Sequence, residues 1–258
     1  GYEFPVNITM YEDLFLDKSE IIFGVDHIPE FLSYRNMHDD RIINDITYAM
    51  QGNKPLFAAE FQSGSREYHV VTNPREMELF YKASVANGLT GWNYYMFSQG
   101  RNRRHTGYSG STFYWFNPLT PEGEPTSAFP LVQRMNKIIK TSELTESSSI
   151  SLKVKKKIIK TPESLIGDTK RKAEVWFFFS PPYYASELER PVGAECELQF
   201  TASAIRRPAY FDGLLKALQI LNIDYDMMDL TKISAAALKN YRQVWAFSTD
   251  EMNAPDQQ

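Results

Sequence analysis

Residues 55–64 read PLFAAEFQSG: a turn entry, an apolar run, one glutamate, then an aromatic, an amide and a small-residue turn. The run is too short for a helix and is apolar at every position before Glu60, which is the pattern of a strand covered on both faces. Regular strand alternation puts Leu56, Ala58 and Glu60 on one face and Phe57, Ala59 and Phe61 on the other. A carboxylate at the end of such a strand is costly unless it is paired or put to use. Arg66 is a nearby candidate for pairing, and chemistry at the strand end is the other reading.

The segments around this strand alternate in period. FPVNITM (4–10) and IIFGVDHI (21–28) read as strands, the second ending at Pro29. DDRIINDITYAMQGN is a helix with Asp39 or Asp40 as N-cap, Ile42, Ile43, Ile46, Ala49 and Met50 as its apolar face, and Gly52 placed to stop it. After PLFAAEF, the Asn73-Pro74-Arg75-Glu76 sequence opens a helix with a cap, a first-turn proline and a capping-box glutamate. Met77, Phe80, Ser84 and Val85 mark its inner stripe and Gly88 its end. LTGWNYYMF (89–97) is the next strand, and FPLVQRMNKIIK supplies Phe129, Val132, Met135, Ile138 and Ile139 for another helix. Doubly apolar strands separated by helices indicate parallel pairing in an α/β layer fold.

Residues 141–172 are rich in Ser, Thr and Lys and read as a linker or crossing segment. Their lysine run at 155–157 reads as a solvated edge. A second α/β pattern begins at 173: AEVWFFFSP as strand, YFDGLLKALQILN as helix with Phe211, Leu214, Leu215, Leu218 and Leu221 inward, IDYDMMDL as strand, SAAALKNY as helix and RQVWAFSTD as strand. This is the opening of a doubly wound, flavodoxin-like sheet. Three strands are few for an independent sheet, so further chain is expected beyond 258.

Of 258 residues, 43% are hydrophobic, which is ample for a packed core. A net charge of −4 argues against a nucleic-acid or anionic-membrane surface and for a small neutral molecule or a protein as partner. The single cysteine, Cys196, excludes an internal disulfide framework and a multi-cysteine metal site, and fits a reducing, cytoplasmic setting. No apolar run reaches the roughly 20 residues of a membrane-spanning helix. His27, His38 and His69 lack the spacing of a zinc site, so neither metal nor cofactor is expected. Tyrosine and tryptophan crowd into 92–116, where faces with polar tips suit sugar rings as well as a packed core.

PLFAAEFQSG followed by GLTGWNYYMFSQGRN resembles glycoside hydrolase family 35, the beta-galactosidase family, whose members carry a Glu-Phe/Tyr-x-x-Gly strand end and then an Asn-x-Tyr-Met-Phe segment. IIFGVDHIP is similar to the preceding strand of that family, and FNPLTPEGEPT to its Pro-Leu-x-Glu-x-Gly loop. The resemblance covers about residues 4–140. It implies that 4–10, 21–28, 55–61 and 89–97 are strands five to eight of a (β/α)8 TIM barrel, with residues 1–140 the second half of the catalytic domain. It further implies that Glu60 is the nucleophile of a retaining exo-glycoside hydrolase, with Asn93 and Tyr95 near the sugar. Where the family has a sugar-contacting tyrosine, this chain has Trp115, so the resemblance extends to the microbial exo-beta-D-glucosaminidase branch. Asp26 would bind a hydroxyl or a glucosamine amine, or cap a helix. The acid/base partner of this clan follows strand four, in an Asn-Glu or Asp-Glu pair absent before Glu60 here, and is expected upstream of Gly1.

Residues 173–258 resemble the Rossmann-like accessory domain of the related family 42 galactosidases, which implies a homo-oligomer. SPPYYASE after its first strand lacks a glycine-rich phosphate turn. The basic loop of Arg101, Arg103, Arg104 and His105 is expected to form anchoring ion pairs. Two other readings remain open: a barrel enzyme acting on a sugar phosphate held by SGS (63–65) and SQGR (98–101), and a non-catalytic carbohydrate-binding or assembly protein.

Overall fold

The computed structural model describes residues 22–29, 32–34, 36–51, 54–65, 72–103, 105–106, 112–113, 116–144, 175–179, 209–229 and 242–246. Together they form a mixed α/β fold in two compact units, one holding 22–44 and 54–144, the other 45–51 and 175–246. The expected strand at 4–10, most of the linker, the helix at SAAALKNY, and Gly52, Arg66, His69, Arg104, Trp115 and Cys196 lie outside the described residues.

Helix α1 (Asp39–Gln51), of which residues up to Asn44 belong to the first unit and the rest to the second, buries Ile42 and Ile43; in the first unit β1 (Phe57–Gln62) follows, and α2 (Pro74–Ala86) leads to β2 (Gly91–Tyr95). The further residues of α1 read as its apolar face, Ile46, Ala49 and Met50, are buried too. Its start differs from expectation: the helix already includes Asp39, and both Asp39 and Asp40 are buried in its first turn rather than capping it from outside. The boundaries of α2 follow its sequence signals. Asn73 caps the helix by accepting from the Arg75 N–H at 2.8 Å, Pro74 occupies the first turn, and Gly88 takes φ +102°. Gly88 and Leu89 donate back to Val85 and Ser84, a Schellman closure that needs this left-handed residue. Tyr81 joins Met77, Phe80 and Ser84 on the buried stripe, whereas Val85 is only half-buried.

Two short strands, β3 (Gly100–Arg101) and β4 (Thr112–Phe113), pair antiparallel. Helix α3 (Phe129–Leu144) extends four residues into the expected linker and buries Leu131, Val132 and Met135, with Phe129 half-buried at its start. On its surface Arg134 reaches Glu78 of α2 at 2.9 Å. Glu78 also accepts from Lys82 at 2.7 Å, and these bonds, Lys82 first, hold its carboxyl below the usual value.

The sheet of this unit is parallel. Extended residues 22–29 bridge β1 at Gly24–Phe57 and His27–Phe61, and β1 pairs with β2, so β1 is central. In the second unit β5 (Val175–Phe179), β6 (Tyr225–Asp229) and β7 (Gln243–Ala246) form a parallel sheet in the order β6-β5-β7. The helix α4 (Ala209–Ile220) precedes β6 and buries Phe211, Leu215 and Leu218, while Leu221, read as part of its inner face, lies past its end and is exposed. No helix among the described residues is long and apolar enough to cross a membrane.

Candidate active site

The pairing of β1 with β2 departs from regular register. Phe57 and Ala58 face Gly91 and Trp92, Phe61 and Gln62 face Tyr94 and Tyr95, and the two residues Ala59 and Glu60 stand opposite Asn93 alone. This is a β-bulge, and it breaks the alternation that strand period predicts. Ala58 and Phe61, three apart, are both fully buried. The Phe61 ring lies against Phe80 and Tyr81 of α2 with centroids 4.7 and 4.9 Å away, and against Trp92 at 5.2 Å. Phe61 therefore packs on the helix side with Ala58, not on the face of Phe57 and Ala59 as regular alternation requires.

The opposite face is assembled from three neighbouring segments. A Cβ built on Gly24 would lie 2.6 Å from the Ala59 Cβ, and one built on Gly91 would lie 3.2 Å from the Phe57 ring, so Gly24, Phe57, Ala59 and Gly91 look the same way. With Val25 and His27 buried, alternation places Asp26 on the face of Gly24. With the Trp92 and Tyr94 rings turned to Phe61, Asn93 and Tyr95 belong to the face of Gly91. The bulge, by giving two residues to one partner, brings Glu60 to the side of Ala59. Thus Asp26, Glu60, Asn93 and Tyr95 share one face near the C-terminal ends of parallel segments. That is the rim on which parallel α/β sheets place reactive groups.

Asp26, Glu60 and Tyr95 are half-buried and Asn93 is exposed. The Asn93 amide donates to the Ala59 carbonyl at 3.3 Å, spanning the bulge from β2. The Glu60 carbonyl accepts from the His27 N–H at 2.7 Å, and the His27 carbonyl accepts from the Gln62 N–H at 3.0 Å. The segment bearing Asp26 therefore grips β1 on both sides of Phe61, at the end of the bulge. Beyond β1, the Ser63 N–H donates to the Tyr95 carbonyl at 3.3 Å and the Ser63 hydroxyl donates to the Met96 carbonyl, tying together the turns that follow β1 and β2. The Tyr95–Met96 peptide bond is cis.

The turn after β1 is closed by Gly64. A Cβ there would lie 2.7 Å from the Asn117 backbone nitrogen and closer still to its side chain, so only glycine admits this approach. The 117–126 loop in turn lies along residues 97–99: Leu119 donates to Phe97 at 3.1 Å and Gln99 donates to Leu119 at 2.8 Å. Arg101 pairs with Glu122 of this loop, one of the anchoring ion pairs expected of the basic segment.

Behind the site the Tyr81 hydroxyl is buried without a hydrogen bond, and burial first, then the neighbouring Tyr94, pushes it well above the usual tyrosine value. Tyr94 is also raised, by burial. No cluster of His, Cys, Asp or Glu among the described residues is arranged to hold a metal ion.

Sequence reasoning missed His27 as part of this site's support. The ring is buried between Val25 and Asn44, with Asp40 beside it. Its parity with Val25 on the strand was the available signal, since it places the ring toward the helices.

Residues 195–258 match a family model described as GLMA-like, second domain. The chain is 35% identical, over 99% of its length, to a beta-1,2-glucosyltransferase of Ignavibacterium album. It is 22% identical over 70% of its length to an exo-beta-D-glucosaminidase of Thermococcus kodakarensis, and 24% identical over 69% to one of Pyrococcus horikoshii. The chain spans 34% of the first relative and 20% of each of the other two. Its fold is similar to that of a beta-galactosidase from the psychrophilic Marinomonas ef1, with a TM-score of 0.55 over 90% of this chain and 32% of that one, at 13% identity. By their names all four are carbohydrate-processing enzymes.

Proposed function

We propose that this chain belongs to a glycoside-processing enzyme and carries its nucleophile, Glu60. The observation that carries the reading is the bulge, which turns a half-buried carboxylate onto the face of Asp26, Asn93 and Tyr95 at the rim of a parallel sheet. On this reading 22–28, β1 and β2 are strands six to eight of a (β/α)8 barrel of the family 35 kind, an assignment supported by their parallel order and by the likeness to the Marinomonas protein. The β6-β5-β7 sheet is the start of a flavodoxin-like accessory domain serving assembly of a homo-oligomer.

The chemistry is double displacement. A Glu60 oxygen bonds to the anomeric carbon of a terminal β-linked sugar as the bond to the leaving oxygen breaks, and that oxygen takes a proton from a carboxylic acid supplied by the rest of the protein. An acceptor hydroxyl then bonds to the anomeric carbon, the Glu60 ester bond breaks, and the acceptor's proton returns to the same carboxylate. Asp26, Asn93 and Tyr95 bind sugar hydroxyls on the donor side.

The acceptor decides between transfer and hydrolysis. The 35% identity to a glucosyltransferase along nearly the whole chain favours a sugar hydroxyl, hence transfer of a β-glucosyl unit between small oligosaccharides. The glucosaminidase relatives support water as acceptor and an amino sugar as the second reading. Incubating the full-length protein with a β-1,2-linked glucose disaccharide separates them: longer oligosaccharides support transfer, whereas free glucose alone supports hydrolysis. Glu60→Ala supplied with azide and an activated aryl β-glucoside should yield the α-glycosyl azide, because azide occupies the place of the lost carboxylate. Absence of that product together with undiminished wild-type-like turnover would refute the nucleophile assignment.

A further inference from the structure

The helix side of the sheet holds a buried polar network around His27 and Asp40. The His27 Nδ1 lies 2.9 Å from the Val25 carbonyl, and its Nε2 lies 2.9 Å from Asn44 Oδ1 and 3.7 Å from Asp40 Oδ1. The Asn44 amide donates to Asp40 Oδ2 at 3.4 Å, Ser84 donates to Asp40 Oδ1 at 2.7 Å, and Asn87 donates to Asp40 Oδ2 at 3.0 Å. A carbonyl only accepts, so Nδ1 carries hydrogen. Asn44 is oriented by its bond to Asp40 and presents its oxygen to Nε2. The ring is held beside a carboxylate that accepts on both oxygens.

We propose that His27 is a positioning residue for Glu60. The inference rests on the reading of Glu60 as nucleophile and adds to it the device that sets the carboxylate's place. The ladder between β1 and β2 is interrupted at Ala59–Glu60, so the register of Glu60 leans on the other neighbour. That neighbour is His27, whose N–H bonds the Glu60 carbonyl and whose carbonyl receives Gln62. Its ring is locked at Nε2 to α1, and through Asp40 to Ser84 and Asn87 at the end of α2. An apolar residue of the same size would hold the helices together without fixing the ring's direction, whereas directional bonds fix it.

The test compares His27→Gln and Ser84→Ala with the wild type in the full-length protein. Turnover of an aryl β-glucoside, the rate of covalent labelling by an activated 2-deoxy-2-fluoro-β-glucoside, and affinity for an iminosugar are measured. His27→Gln should lower kcat and the labelling rate together by about 10- to 100-fold, because a misplaced reacting group costs that much, with KM and iminosugar affinity changed by less than about threefold. If His27→Gln does not fold, Ser84→Ala, which keeps His27 and removes only one bond to Asp40, should show the same split at about 3- to 10-fold. Folded variants that label at the wild-type rate, or that change KM alone, overturn the positioning role. Failure of the underlying reading is distinct: Glu60→Gln would then label and turn over like the wild type.

Discussion

Replacing Phe61 by alanine tests the bulge, because the two possible orientations of this side chain predict different losses. Phe61 is fully buried and has Phe80, Tyr81, Trp92 and Tyr94 rings with centroids at 4.7, 4.9, 5.2 and 6.3 Å. Truncation of a buried phenylalanine costs about 3–5 kcal/mol, and aromatic pairs add about 0.5–1.5 kcal/mol beyond their area. With this aromatic surround, about 4–5 kcal/mol is expected. For a domain of ordinary size each kcal/mol lowers the midpoint by roughly 2–4 °C, so Phe61→Ala should melt at least roughly 8 °C lower. The assay is thermal and denaturant unfolding of the full-length protein, with KM measured below the transition. Phe57→Ala, on the open face, should act mainly on KM. A Phe61→Ala protein that loses under about 1.5 kcal/mol while its KM rises would place the ring on the sugar-facing side and refute the bulge.

Two further substitutions probe the surroundings. Gly64→Ala forces a Cβ to within 2.7 Å of the Asn117 backbone nitrogen, so it should cost about 1–3 kcal/mol in denaturant unfolding and reduce kcat through the turn after Glu60. Tyr81→Phe removes a buried hydroxyl without a partner and should be neutral or stabilising at neutral pH. Because burial raises the Tyr81 value above the usual 10.0, the folded state keeps its proton where the unfolded chain loses it. Stability is therefore unaffected by this group below pH 10.0 and falls as pH rises from there toward the folded-state value, so Tyr81→Phe should show a shallower alkaline loss of stability.

Much of this fold was readable from sequence because its signals are local. The cap, first-turn proline and terminal glycine of α2, and the apolar faces of α1 and α4, require only residues a few positions apart. The bulge is different: nothing in AAEF marks an extra residue, and its existence depends on the partner strand. Alternation therefore groups Phe61 with Phe57 and Ala59, where the register puts it with Ala58. The buried network was illegible for a related reason. Ser84 and Asp40 are 44 residues apart, and a serine and an aspartate at that distance have no local pattern to announce their bond. Asp40 reads as a cap because helix starts favour aspartate, while the packing uses it as a buried acceptor.

The most direct measurement is to treat the full-length protein with an activated 2-deoxy-2-fluoro-β-glucoside and locate the attached sugar by peptide mass spectrometry. A single glycosyl group on Glu60, absent from Glu60→Gln, is the predicted result. A label on another carboxylate, or full activity in Glu60→Gln, would contradict the account.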